Sequence, residues 1–541
     1  MPHAFPSGLT IDAPRRRDGR KNASRLWLGP VLAGALMLLA ACGSSRDRAM
    51  EKALEAQTLL DAGDAASARE AILKAIAYRD DVPEIHILSA RIALRLNEPL
   101  SAYQAYSQAL DLDTTNREAL IAASELALQL GRVSEAETLA DKVLVLDPGQ
   151  PRALLVKGLI ALDRKRVADT LALADQILAI APSDEGGLVL KARALATDGK
   201  FDEAREVIEL GASRIGRTEA VLSTLLEIDR ALRDAPRLRR SFEDLMAKLP
   251  RRNELRVDYA NLLYKTGDTR IARIVLSGVF TGTGASRKTL EDIRSLWLEY
   301  DASPLTPDQI EAIAQRGSPV QREVLARYFL GTGRPDLAMA SIGSPARGQI
   351  AGLEGLYARI QDTNGRRADA LTIMEAILER DKTNPDALLL RAGIAAKARR
   401  NKQAIIDAQT VLRDNPENED AYALLASALV ADGQLPRARL IFEQGIKEIP
   451  QSFSLYDRYI LFLYQNDDKE RAMAVARTYA LASPASLRGW QRLVRLCEAS
   501  AAPCAEDARK GLATAQTSYW IDPRPGSPRR RGLFGRLDRT A

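Results

Sequence analysis

Residues 117–150 read REALIAASELALQLGRVSEAETLADKVLVLDPGQ, and this stretch decides the fold. Leu120, Ile121, Leu126, Ala127 and Leu130, with Ser124 among them, return at the three- and four-residue spacing of a helix with one buried face. Gly131 then ends that helix, because glycine takes up the positive φ of a helix terminus without a steric penalty. A second helix runs on to the turn marked by Pro148. The unit is therefore helix, short turn, helix, proline-marked turn.

The same marks recur on both sides of this stretch. Alanines stand at Ala68, Ala102, Ala136, Ala204 and Ala272, separated by multiples of 34 residues, and Ala370, Ala404, Ala438 and Ala472 repeat the period. Five residues before them come turn-formers: Gly63, Asn97, Gly131, Gly199 and Gly267, then Gly365, Gly433 and Asp467. Helix breakers follow at Pro148, Pro182, Pro250, Pro416, Pro450 and Pro484. A small residue lets two antiparallel helices cross closely, where a larger one would push their backbones apart. Proline lacks the amide hydrogen that a helix interior needs but suits the first turn of the next helix. Rows that hold one register over many periods mean one supersecondary unit stacked repeatedly.

These rows resemble the tetratricopeptide repeat, which has a small residue at position 8, alanine at position 20 and proline at position 32. Gly158, Ala192 and Ala426 hold position 8. The resemblance covers residues 49–280 and 349–520, about a dozen units and roughly three quarters of the chain. It implies an all-α fold, an α-solenoid of stacked helix-turn-helix units in two arrays. Thr170 and Leu238 stand in the alanine place of two units, and looser helix crossings are expected there. Residues 281–348 break the register with Thr281-Gly282-Thr283-Gly284, Pro304, Pro307, Pro319 and Pro345, and read as degenerate helical repeats joining the arrays. Residues 521–541 lack apolar periodicity and are expected to be disordered.

The N-terminal end has its own order. Arg15, Arg16, Arg17, Arg20, Lys21 and Arg25 precede an apolar run from Leu26 to Ala41, broken by Gly29, Pro30 and Gly34. The run is shorter than the roughly 20 apolar residues a spanning helix needs, so residues 1–41 read as a cleavable signal. Leu39-Ala40-Ala41-Cys42 resembles the lipobox of bacterial lipoproteins. The resemblance makes Cys42 the lipidated first residue of the mature chain, followed by a linker through residue 48, and places the protein in the bacterial cell envelope. Gly43, in place of aspartate, favours the outer membrane, facing the periplasm. The chain is +6 overall, but the signal and the tail (Arg524, Arg529, Arg530, Arg531, Arg536 and Arg539) are each net +4, leaving the body at −2. A nucleic-acid partner would need a basic stripe on the folded face, so none is expected.

Little in the chain suggests catalysis, a cofactor or a metal, and no enzyme is expected. His3 lies in the signal, and His86 stands alone between Ile85 and Ile87. A catalytic base would need an orienting partner. No His or Cys cluster has ligand spacing. The stretch Gly282–Thr289 fails as a phosphate loop because Arg287 holds the glycine place before Lys288-Thr289. Cys497 and Cys504 would be about 10.5 Å apart on one continuous helix, beyond disulfide reach. The repeat register, however, puts a turn at Ala501 between them, so a disulfide stapling the last hairpin is expected; the spacing disfavours a redox pair. Tyr456 and Tyr459 fall at core positions of their repeat, while Tyr464 should look into the groove.

Stacked helix pairs form a superhelix lined inside by the first helix of each unit. By resemblance, positions 2, 5, 9, 12 and 13 face that groove. They hold Glu118, Glu125, Gln129, Arg152, Asp163, Asp386, Lys397, Asp457, Tyr464, Arg488 and Arg495. This polar lining suits an extended peptide or a partner helix. The expected function is a membrane-anchored scaffold for protein–protein interactions in an envelope complex; the lipoproteins it resembles serve exopolysaccharide export or pilus and secretion assembly. The alternative is a periplasmic glycan- or peptidoglycan-binding lipoprotein.

Overall fold

The computed structural model describes residues 45–343 and 352–519. The signal, Cys42 and the basic tail 521–541 lie outside the described residues. Among the described residues there are 28 helices and no strand. They belong to two compact units, Met1–Leu126 and Ala127–Ala541. In the first, α1 (Ser45–Asp61) pairs with α2 (Ala65–Tyr78) and α3 (Pro83–Arg95) with α4 (Pro99–Leu112); α5 (Arg117–Gln129) runs across the division.

The second unit continues with α6 (Val133–Leu146), then the pairs α7 (Pro151–Asp163) and α8 (Val167–Ile180), α9 (Glu185–Thr197) and α10 (Phe201–Ile215). Next come α11 (Glu219–Leu232) and α12 (Ala235–Lys248), then α13 (Asn253–Lys265) and α14 (Thr269–Thr281). Four helices follow where the register breaks: α15 (Arg287–Tyr300), α16 (Pro307–Arg316), α17 (Pro319–Gly331) and α18 (Pro335–Ile342). Regular pairs then resume with α19 (Glu354–Thr363) and α20 (Arg367–Arg380), and α21 (Pro385–Lys397) and α22 (Asn401–Asp414). The last are α23 (Glu419–Ala431) and α24 (Leu435–Glu448), α25 (Phe453–Gln465) and α26 (Lys469–Ala482), and α27 (Leu487–Ala499) and α28 (Ala505–Gln516).

The three rows of the sequence have physical counterparts. All nine period alanines, Ala68 through Ala472, are fully buried at 0% exposure where the paired helices cross. A methyl group added to Gly158 would stand 2.3 Å from Leu190 Cδ2, so even alanine is too large there unless Leu190 moves. Thr170 and Leu238 are also fully buried, and Thr170 turns its hydroxyl onto the Arg166 carbonyl at 2.8 Å. Turn glycines such as Gly131 (φ 77) and Gly267 (φ 87) are left-handed. Lys165, Arg233 and Arg399 occupy the same turn at φ 58 without being glycine. Several first helices start on side-chain caps, among them Asp184, Asn384, Asn418 and Ser452, whose oxygens accept from the backbone N–H three residues on.

Residues 281–342 share one apolar core with α11–α14 and α19. Large rings fill this core instead of alanines: Phe280 on Trp297 at 4.9 Å, Trp297 on Tyr328 at 5.7 Å, and Tyr328 on Phe329 at 5.2 Å. Asp301, 5% exposed, anchors the join. Arg273 donates to both of its oxygens at 2.8 and 2.9 Å, and the Tyr328 hydroxyl donates to its carbonyl at 2.6 Å.

Within the second unit the last hairpin returns to the middle of the repeat run. Lys265 Nζ, at the end of α13, donates to the carbonyls of Ala485 (2.7 Å), Ala515 (3.1 Å) and Ser518 (2.6 Å). Glu299, near the end of α15, accepts from the Leu487 N–H at 3.3 Å, and Tyr519 is buried in the core that holds α11–α14. Burial pushes the Glu299 carboxyl up, against the pull of Lys265 and Arg488.

Three outcomes follow from these contacts. Ala426→Leu, at a fully buried crossing, should destabilise the protein by about 1–3 kcal/mol in thermal melting, through overpacking. Arg399→Gly should stabilise it by about 0.5–1 kcal/mol, by relieving a left-handed conformation that costs a side-chain-bearing residue. Burial raises the Glu299 carboxyl pKa in the folded chain and outweighs the Lys265, Arg488 and Leu487 contacts that favour the ionised form, so this group's contribution to stability is fully present at low pH and is lost as pH rises through that pKa. The melting temperature of Glu299→Gln relative to wild type should therefore increase from pH 4 to pH 7.5; an unchanged difference would contradict this assignment.

Candidate binding groove

The first helices of the repeats carry the polar side chains that the sequence places on the groove face. In the first unit Glu118 accepts two bonds from Arg91, at 2.7 and 2.5 Å, so it is held as a bidentate pair on the surface. Glu125 is half-buried, and Gln129, just past the division and so in the second unit, is exposed. In the second unit Arg152 and Asp163 are exposed, at opposite ends of α7.

Asp386 has the most constrained surroundings. It lies between two guanidinium groups, Arg327 at 2.8 Å and Arg359 at 2.8 Å, and Arg359 reaches on to Asp420 at 2.7 Å. On its other side Arg327 binds Glu323 at 3.1 Å, which in turn binds Arg287 at 2.9 Å. The side chain of Asp386 is only 14% exposed. Burial alone would raise its carboxyl pKa, but Arg327 and Arg359 hold it below the ordinary value. The arginines sit at position 9 of their repeats and the aspartates at position 2, so alternating charge runs along one face of α17, α19, α21 and α23. The sequence reading missed this row. Its signal was arginine at position 9 of two successive first helices, α17 and α19, followed by aspartate at position 2 of the next two, α21 and α23.

The remaining predicted residues sit more openly. Lys397 is exposed and 3.7 Å from Asp362. Asp457 binds Arg492 at 2.7 Å. Tyr464 is 38% exposed, with Lys469 over its ring at 5.8 Å, whereas Tyr456 and Tyr459 are buried at 4% and 0%. Arg488 lies 4.4 Å over the Phe453 ring and also faces Glu299, while Arg495 is exposed. Ion pairs and ring contacts thus fix several of these heads in place, while Gln129, Lys397, Tyr464 and Arg495 are accessible.

Two other sequence-predicted positions are informative. His86 is 4% exposed, and its Nε2 meets the Asp80 carbonyl at 2.7 Å. Cys497 and Cys504 are joined in a disulfide with α-carbons 5.7 Å apart. The chain reverses between them at Ala501, which is left-handed (φ 47). No helix of the described residues is long and apolar enough to cross a membrane.

Comparison with known proteins adds the family. Models of the tetratricopeptide repeat match residues 54–117, 121–185, 186–209, 358–410 and 395–460. Comparison with curated proteins gives no match. Among solved structures, the chain is similar to PilW, a widely conserved type IV pilus biogenesis factor, at 22% identity and a TM-score of 0.33, over 37% of this chain and 94% of that one. It is also similar to a tetratricopeptide repeat protein of Parabacteroides merdae, at 18% identity and a TM-score of 0.39, over 47% and 98% of the two chains. PilF of Pseudomonas aeruginosa matches at 18% identity and a TM-score of 0.32, over 38% and 95%. The repeat matches lie on both sides of the aromatic join, over helix pairs whose crossings carry the buried small residues, and over those residues this chain carries tetratricopeptide repeats.

Proposed function

We propose that this protein is a scaffold of the bacterial envelope, anchored by lipid on Cys42, whose groove binds a protein partner during assembly of an exopolysaccharide, pilus or secretion complex. The observation that carries the binding role is the charge row Arg327–Asp386–Arg359–Asp420. Ion pairs hold its heads in fixed positions before any partner arrives, which lowers the ordering cost of binding. Accessible Lys397, Tyr464 and Arg495 then supply a cation, an amphipathic ring and a second cation on the first helices α21, α25 and α27. A polypeptide offers matching carbonyls, carboxylates and side chains; a neutral sugar chain would need stacked aromatic platforms, and Tyr456 and Tyr459 are spent on the core. In this reading Asp386 and Asp420 are electrostatic contacts, because their arginine partners hold both carboxyls below the ordinary value and hydrogen-bond them. The anchor rests on the Leu39–Cys42 tetrad and the apolar run before it.

The test is in-cell photo-crosslinking from positions 397 and 464 of the tagged protein, followed by mass spectrometry, with Cys42→Ser as the mislocalised control. One envelope component of an export or pilus machine, captured from both positions and lost with Cys42→Ser, is the expected result. Recovery of polymer or peptidoglycan fragments alone would overturn the proposal in favour of glycan binding.

A further inference from the structure

A second surface stands apart from the groove face. Between the second helices α12 and α14 of two successive repeats lies a cleft of about 940 Å³. Met246 and Ala247 form one wall, and Ile274, Val275, Gly278 and Val279 the other. The start of α13 closes its floor with Asn253 and Arg256, and Arg251 and Thr283-Gly284 stand at its ends. The walls are apolar and open, with Ile274 61% exposed.

Two features give this cleft chemical character. First, Arg251 and Arg256 have no ion pair or side-chain hydrogen bond among the described residues. Their neighbours are compensated: Arg252 binds Glu219 at 3.1 Å and Arg239 binds Asp268 at 2.6 Å. Lys248 adds a further cation at the rim, with Glu254 as the acidic residue beside it. Second, Gly278 interrupts a helix interior, where glycine costs about 1 kcal/mol relative to alanine. A methyl group there would meet nothing within 4 Å, so no described atom demands the glycine. It leaves bare backbone on the cleft wall, where a bulky residue would fill the space.

We propose that this cleft docks a peptide segment in which a large apolar side chain is flanked by carboxylates. The apolar side chain would lie over Ile274, Val275 and Gly278, removing Ile274 from water, and the carboxylates would pair with Arg251 and Arg256. Charge complementarity selects this occupant: an apolar or basic peptide would leave two guanidinium groups uncompensated as they lost water. The surface is separate from the groove on the first helices, so it stands or falls independently of the function proposed above.

The probe is a random 12-residue peptide library displayed on phage, selected on the full chain and counter-selected on Gly278→Trp, whose Cβ meets no described atom within 4 Å and whose ring is placed to occupy the cleft. Enriched sequences should place Asp or Glu beside Phe, Leu or Trp. The synthetic peptide should bind in fluorescence anisotropy with an affinity that falls as salt is added. Gly278→Trp, and separately Arg251→Glu with Arg256→Glu, should each weaken it by about tenfold or more. Melting curves of both variants check that they remain folded. Absence of enrichment, enrichment of non-acidic sequences, or unchanged affinity in either folded variant would overturn the proposal. So would cosedimentation with phosphatidylglycerol vesicles that depends on the two arginines while the peptide does not bind, which would assign the patch to lipid.

Discussion

Most of the regular repeats depend on two helices crossing with no more than a methyl group between them. Ala68, Ala136, Ala272, Ala404 and their counterparts are buried to 0% at those crossings, and Gly158 has not even the room for a methyl. Close crossing fixes the angle within each pair, and a fixed angle repeated at a constant period is what stacks the pairs in register. Stacking then brings position 9 of one first helix within reach of position 2 of the next. The charge row through Asp386 is a consequence of that geometry: two arginines from two different repeats can meet one carboxylate only if the helix spacing is held.

The charge row is costly to place, which bears on what it does. Taking an ion out of water is repaid only where geometry is good and the remaining valences are met. Asp386 meets that condition with an arginine on each side, and Glu323 does so between Arg287 and Arg327. Such networks contribute more to holding one arrangement than to net stability. Apolar packing at the same places would stabilise the stack as well, but would leave a groove with nothing to offer a polar partner.

The sequence made some of this legible and hid the rest for identifiable reasons. Alanine and glycine rows report backbone constraints, and a constraint on the backbone repeats with the backbone. The turn between Cys497 and Cys504 was legible for the same reason, because the register placed it at Ala501. Lys165, Arg233 and Arg399 adopt the left-handed turn without glycine, so the residue type there did not announce the turn. In residues 281–342 the constraint is met differently: Trp297, Tyr328 and Phe280 fill space that alanines leave closed elsewhere, and rings matched to one another have no period to read. The Lys265 contact was invisible from sequence altogether. Its acceptors are main-chain carbonyls more than 200 residues away, and any residue type can supply a carbonyl.

That contact also answers a problem common to repeat proteins. A terminal repeat has one face with no neighbour, and the carbonyls at the end of its last helix have no helical partners. Here the final hairpin is secured at both ends by unlike means. The Cys497–Cys504 bond fixes the turn end covalently, while at the open end Lys265 satisfies the Ala515 and Ser518 carbonyls and Glu299 receives the Leu487 N–H. Tyr519 adds apolar burial against the core of α11–α14. The last described hairpin is therefore packed against α13 and α15 of the same unit, which cover part of the face that a stacked neighbour would otherwise cover. The arrangement requires both the lysine at the end of α13 and a hairpin held rigid enough for its far end to reach it.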